Sequence, residues 1–157
     1  MPFRRSILFA VALLIGLAGI GRAQELQHFD KSSVIVDTAA GPRKFTVEMA
    51  LTPAQQEQGL MYRRKLAPDA GMLFDFVAMG SRAFWMKNTL IPLDMLFIET
   101  NGRIADIHER AVPLSEEIIP SALPVRAVLE LNGGTVARLG IKIGDTVHHP
   151  IFNNNGG

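Results

Sequence analysis

The chain has no cysteine. That excludes disulfides, cysteine metal sites, thiol catalysis and a lipid-attachment cysteine, so stability in an oxidising compartment must come from packing. Aromatics are few, with a single Trp and a single Tyr among 157 residues. Net charge is almost absent: 16 basic residues face 15 acidic ones, a balance of +1. The common catalytic signatures are missing too. There is no phosphate loop, no Gly-x-Ser-x-Gly elbow and no His-Glu-x-x-His pair, and Gly16, Gly19 and Gly21 lie in the N-terminal leader. These absences leave no reaction to assign. We expect no enzymatic activity, no cofactor and no metal, and the sequence names no catalytic residue.

No apolar run is long enough to span a bilayer. The longest, Ile7 to Ile20, holds 14 residues, short of the roughly 20 a spanning helix needs. Arg4 and Arg5 precede it and Gly21-Arg22-Ala23 follows it, the layout of a secretory signal peptide over residues 1–23. The expected location is therefore periplasmic. The export route, general secretory or twin-arginine, stays open, although the flanks of Arg4-Arg5 fit the latter poorly. Cleavage after Ala23 leaves 134 residues and removes Arg4, Arg5 and Arg22, so 13 basic residues face 15 acidic ones, a net charge of −2. A slightly acidic domain argues against nucleic acid as a partner, and the mature chain has no stable membrane anchor.

What remains reads as a flexible lead-in over residues 24–33, one globular domain over 34–150 and a disordered tail over 151–157. Val34 to Val36 is a short strand, and Lys44 to Met49 alternates polar and apolar residues as a half-buried strand does. Thr52-Pro53-Ala54-Gln55 carries a helix start, with Thr as N-cap, Pro at the first position and Gln closing a capping box. That helix is expected near residues 52–61. Met72 to Phe76, Phe84 to Lys87, Leu93 to Glu99, Arg103 to Arg110, Arg126 to Leu131 and Thr146 to His149 read as strands, with a short helix from Thr135 to Leu139. Asn101-Gly102 is the strongest hairpin signal. Leu93 to Ile98 is apolar on both faces, so it is expected in the middle of a sheet. Short strands with Gly and Pro turns predict an all-β sandwich or barrel.

The chemistry concentrates around Phe84 to Asp94, which places Lys87, Asn88, Thr89 and Asp94 inside apolar sequence. The candidate ligand-binding residues are Lys87, Asn88 and Asp94 from this stretch, with Arg63, Trp85 and Glu130. Buried polar groups of this kind are either structural pairs, such as Lys87–Asp94 or Arg63–Glu130, or the lining of a polar cleft. Trp85 packs as core or offers a stacking platform at a cleft mouth. Met61, Met72, Met79, Met86 and Met95, with His108, His148 and His149, raise copper binding in an exported chain. The methionines fall in hydrophobic patterns, where filling gaps is their ordinary role, and the adjacent His148 and His149 face apart in a strand. The favoured reading is a non-enzymatic module binding a small polar or anionic ligand. The alternatives are an envelope hydrolase using Asp94 and Glu130, and a module that docks an envelope protein through the loop from Pro113 to Pro124.

The blocks QEQGLMYRRKL, GMLFDF, FWMKNTLIPLDMLFI, NGRI and VLELNGG, in that order between Thr52 and Val147, resemble the Domain of Unknown Function family number 192. The resemblance implies a compact, β-rich and often exported domain of unassigned activity, and supplies no catalytic residues.

Overall fold

A computed structural model describes residues 26–154. The leader over residues 1–23 and the last residues of the expected tail, 155–157, lie outside the described residues. Nine strands form in chain order: β1 Lys31–Val36, β2 Arg43–Ala50, β3 Ala70–Gly80, β4 Ala83–Phe84, β5 Leu93–Ile98, β6 Ile104–Ala111, β7 Ile119–Pro120, β8 Val125–Asn132 and β9 Val147–His148. Helix α1 spans Pro53–Gln58 and α2 spans Thr135–Leu139. The fold is mainly β, as expected.

Seven strands make one sheet in the order β6-β5-β8-β3-β2-β1-β9, and β4 pairs with β7 in a separate ribbon. The large sheet curls into a half-barrel. Its two edges meet at one end, where Arg103 bridges Thr146 and the Ile104 amide donates to the Asp145 carbonyl at 2.9 Å. Neighbouring strands are antiparallel except β2 and β3, which run parallel because α1 carries the chain back between them.

Alternation along each strand divides the apolar residues between the two faces. Val34, Phe45, Leu73, Leu96, Ile104, Leu129 and Val147 come from all seven strands yet form one buried cluster, which only the concave side permits. Met72, Phe74, Met95, Phe97 and Val128 form a second cluster with Leu60 and Met86. This second cluster lies on the convex side, under α1 and the segments flanking β4. All six residues of β5 are buried, and β5 sits between β6 and β8, the doubly covered position its sequence implied.

Helix α1 starts as its capping box dictates. The Gln55 amide donates to Thr52 Oγ1 at 3.2 Å, and Gln55 Oε1 accepts from the Thr52 amide at 3.0 Å. It ends at Gln58, three residues short of the expected end at Met61, because Gly59 with its φ of +48° turns the chain. The strand expected from Phe84 to Lys87 is confined to Ala83–Phe84. The lead-in and tail are shorter than expected. Lys31 to Ser33 already pair with β2, and Phe29 is buried. At the other end Pro150–Phe152 forms a 3-10 turn that buries Phe152, and Asn154 Nδ2 donates to the carbonyls of Asn101 and Val147. Burial of one large ring holds a terminus that polarity alone marks as loose.

Close packing at the sheet centre yields a first prediction. A Cβ on Gly71 would lie 2.5 Å from the Glu130 carbonyl oxygen and 2.8 Å from Leu131 Cδ2. The contact is with backbone, so it cannot relax by a rotamer change. Gly71→Ala should therefore destabilise the domain by about 1–3 kcal/mol, read as a lower urea midpoint. An unchanged midpoint would mean that β3 and β8 separate more easily than their packing implies.

Candidate functional site

The convex face carries a cavity of about 360 Å³ between α1, β3, β4 and β8. Aromatic rings wall it. Phe74 and Phe84 meet edge to face at 5.2 Å, Phe84 meets Phe97 the same way at 6.2 Å, and Phe74 stacks with Phe76 at 6.4 Å. Trp85 stands at the rim, 41 % exposed.

Glu130 forms part of the lining. In β8 it lies directly opposite Met72 of β3 and Met95 of β5, both fully buried. These side chains share its face, and only 4 % of Glu130 remains exposed. No described residue offers it a hydrogen bond or an ion pair. Burial therefore pushes its pKa from 4.5 to about 8.

The opposite wall rests on a strained turn. Val77 has φ +66°, a conformation β-branched residues avoid, where the β3–β8 register breaks between Asp75 and Gly80. Asp75 pins it. Its Oδ1 accepts from the Val77 amide at 2.8 Å, its two oxygens grip Arg126 at 3.2 Å each, and its carbonyl accepts from Gln56 Nε2 at 2.9 Å. The bulge brings Arg82 back over the Phe76 ring, with 4.2 Å from Cζ to the ring centroid. One terminal nitrogen of Arg82 donates to the Ala78 carbonyl at 2.7 Å, its Nε is buried without a partner, and Arg82 is among the residues that line the same cavity.

The residues singled out from sequence separate into five places. Glu130 and Trp85 line the cavity. Lys87 leans on Trp85 from outside, its Nζ 4.9 Å from the ring centroid. Asn88 adopts φ +55° and its Nδ2 donates to Tyr62 Oη at 3.1 Å; with the Tyr62 amide on the Asn88 carbonyl, this ties the two loops beside the cavity. Arg63 pairs with Glu48 at 2.7 Å and not with Glu130. Asp94 is fully buried on the concave side and does not pair with Lys87. Its carboxylate accepts backbone N–H bonds from Arg110, Gly134 and Val136. Asp94 lies opposite Leu131 and Glu130 opposite Met95, so the two carboxyls project from opposite faces. Arg82, Phe76 and Gln56 belong to the site and were missed. The one available signal was the lone charge of Gly80-Ser81-Arg82 between two apolar runs.

Ser32 Oγ lies 2.9 Å from His149 Nε2, but His149 Nδ1 accepts from the Ile151 amide at 3.3 Å. Nε2 therefore carries the proton and donates to Ser32, the wrong tautomer for a general base. Burial also holds this imidazole below its ordinary pKa, which suits a brace. The loop from Pro113 to Pro124 exposes Leu114, Ile118 and Leu123, yet it is strapped to the cavity wall. The Met86 amide donates to the Ser115 carbonyl, the Leu114 amide to the Thr89 carbonyl, and β7 pairs with β4. Among the described residues no group of three or more His, Asp or Glu side chains is placed to hold a metal ion.

The DUF192 family model, described as an uncharacterized ACR, matches residues 34–149. No curated protein matches the chain. A crystal structure from Sinorhizobium meliloti 1021, provisionally described as a transcription regulator, is 53% identical with a TM-score of 0.77, over 81% of this chain and 99% of its own. Another, of a protein of unknown function from Novosphingobium aromaticivorans DSM 12444, is 44% identical with a TM-score of 0.74, over 76% of this chain and 85% of its own.

Proposed function

The chain belongs to the DUF192 family, and from that premise we propose that it is a non-enzymatic binding module for a small polar ligand, which it holds in the convex-face cavity. One observation carries this reading: a buried carboxyl, Glu130, with no protein partner, faces an aromatic-walled space. Burying a polar group without a partner costs free energy, and a ligand that supplies the partner recovers it. Concave, largely apolar sites with a few convergent polar groups are the usual form of a small-molecule site.

The hydrolase alternative needs two carboxyls across one cleft, and Asp94 and Glu130 point from opposite faces of the sheet. The transcription-regulator description of the Sinorhizobium relative raises DNA as a partner. A net charge of −2 after loss of the first 23 residues opposes it, because phosphate contacts need a basic surface. The basic start, the apolar run from Ile7 to Ile20 and the small residues before Ala23 support export to the periplasm, where this module would meet its ligand.

A thermal-shift screen of residues 24–157 against small polar metabolites and cell-wall fragments tests the binding reading. A true ligand at a hundred times its Kd adds about 2.7 kcal/mol, a rise of several degrees in Tm. Glu130→Leu should remain folded and lose that rise. A screen without hits, or hits that Glu130→Leu leaves untouched, would overturn the proposal.

A further inference from the structure

Resting on the cavity reading, we propose that the ligand is a small organic anion, an aromatic or similarly planar carboxylate. Its charge is held by Arg82, and its ring lies among Phe74, Phe76, Phe84 and Trp85. Arg82 lines the cavity and, like Glu130, carries a polar group without a protein partner. Arg82 Nε is buried and has no partner, and no carboxylate among the described residues lies within ion-pair distance of its guanidinium. Arg82 is half-buried and, unlike a carboxyl, cannot shed its charge. A guanidinium without a counter-ion beside an aromatic cavity therefore favours an anion, and a carboxylate matches the planar fork best. Lys87, leaning on Trp85 at the rim, also has no acidic partner among the described residues.

Glu130 fits this assignment through its protonation. The strands packed on either side of it present Met72 and Met95. Around the cavity the other charged groups are Arg82 and the exposed Glu57, while Gln56, Gln58 and Thr89 are neutral. With its pKa near 8, Glu130 is mainly a neutral acid at pH 7. It then donates a hydrogen bond and does not repel an anion. As it ionises, it repels one. An anionic ligand must therefore bind more weakly as pH rises through about 8, whereas an amine would bind more tightly.

Three probes share one ring and differ in charge: phenylacetate, 2-phenylethylamine and 2-phenylethanol. Trp85 is the only Trp in the chain, so its emission reports the rim of the cavity without interference. With residues 24–157, which contain every described residue, phenylacetate should bind at least tenfold more tightly than the other two at pH 7. Arg82→Gln should abolish that preference and Arg82→Lys should keep part of it, with the melting temperature of each variant confirming its fold. Between pH 7 and pH 9 the phenylacetate affinity should fall by roughly tenfold, as the neutral fraction of Glu130 does. Preferred binding of the amine or the alcohol, lost in Glu130→Leu, would leave the cavity reading standing and overturn the anion assignment. Undiminished phenylacetate binding by Arg82→Gln would also overturn it. If none of the three changes the Trp85 emission or the melting temperature, the anion assignment falls, and the cavity reading falls with it only if the metabolite screen is also without hits.

Discussion

Glu130→Gln should raise the melting temperature at pH 9 by on the order of 10 °C while leaving it nearly unchanged at pH 4.5. The folded carboxyl titrates near 8 and the unfolded one near 4.5. Between those values the unfolded chain holds fewer protons than the folded one, so stability falls as pH rises through the window. Glu130 costs nothing as a carboxylate below pH 4.5, where both states carry the proton. Its full cost, on the order of 4 kcal/mol, is reached once pH passes 8. Glutamine keeps the shape and stays neutral, so the variant should lack this slope. Unfolding curves from pH 4.5 to 9 would decide it. Parallel stability profiles would mean that Glu130 is solvated or paired in solution, and the orphan-carboxyl argument would lose its basis.

The local signals in the sequence were good guides because the physics behind them is local. Thr52 and Gln55 cap α1 as their types and spacing require, Asn101-Gly102 turns β5 into β6, and α2 occupies the five residues read for it. The face of each strand was also legible. Glu130 shares a side with Val128, away from Leu129 and Leu131. Which face of one strand meets which face of another was not legible, because that depends on register between segments far apart in the chain. The pairing of Asp94 with Leu131 separates two carboxyls that looked like partners. Parallel pairing of β2 with β3 sets Glu48 opposite Met72 and gives Arg63 a partner that no spacing rule would select. The place of Arg82 in the cavity was not legible for a related reason. It lines the cavity because a valine at positive φ breaks the β3 register, held by Asp75 and Arg126 across 51 residues of sequence. A bulge of this kind is bought by tertiary contacts and leaves no periodic trace.

The same separation of faces makes Asp94→Ala the complementary test. Asp94 is fully buried, and its two oxygens take the amides of Arg110 at 2.8 Å, Gly134 at 3.0 Å and Val136 at 2.8 Å. Helix α2 begins at Gly134, which has no side chain to cap it, so Asp94 caps it from a strand 40 residues earlier in sequence. The carboxylate also fixes Arg110, whose φ is +51°. Removing it leaves three amides without an acceptor in a site closed to water. Each such loss costs about 1–3 kcal/mol, and the whole should destabilise the domain by roughly 3–5 kcal/mol. Asp94→Asn keeps one acceptor and should fall between. Hydrogen exchange should locate the damage, with the Gly134 and Val136 amides losing protection before those of β2 and β3. Because Asp94 lies on the concave side, the folded fraction of the variant should still bind any ligand of the convex cavity with unchanged affinity. A melting temperature equal to that of the wild type would show that water or a neighbouring group replaces the carboxylate, and that α2 does not depend on it. An altered ligand affinity in stable Asp94→Asn would show instead that the two faces of the sheet are coupled through β5.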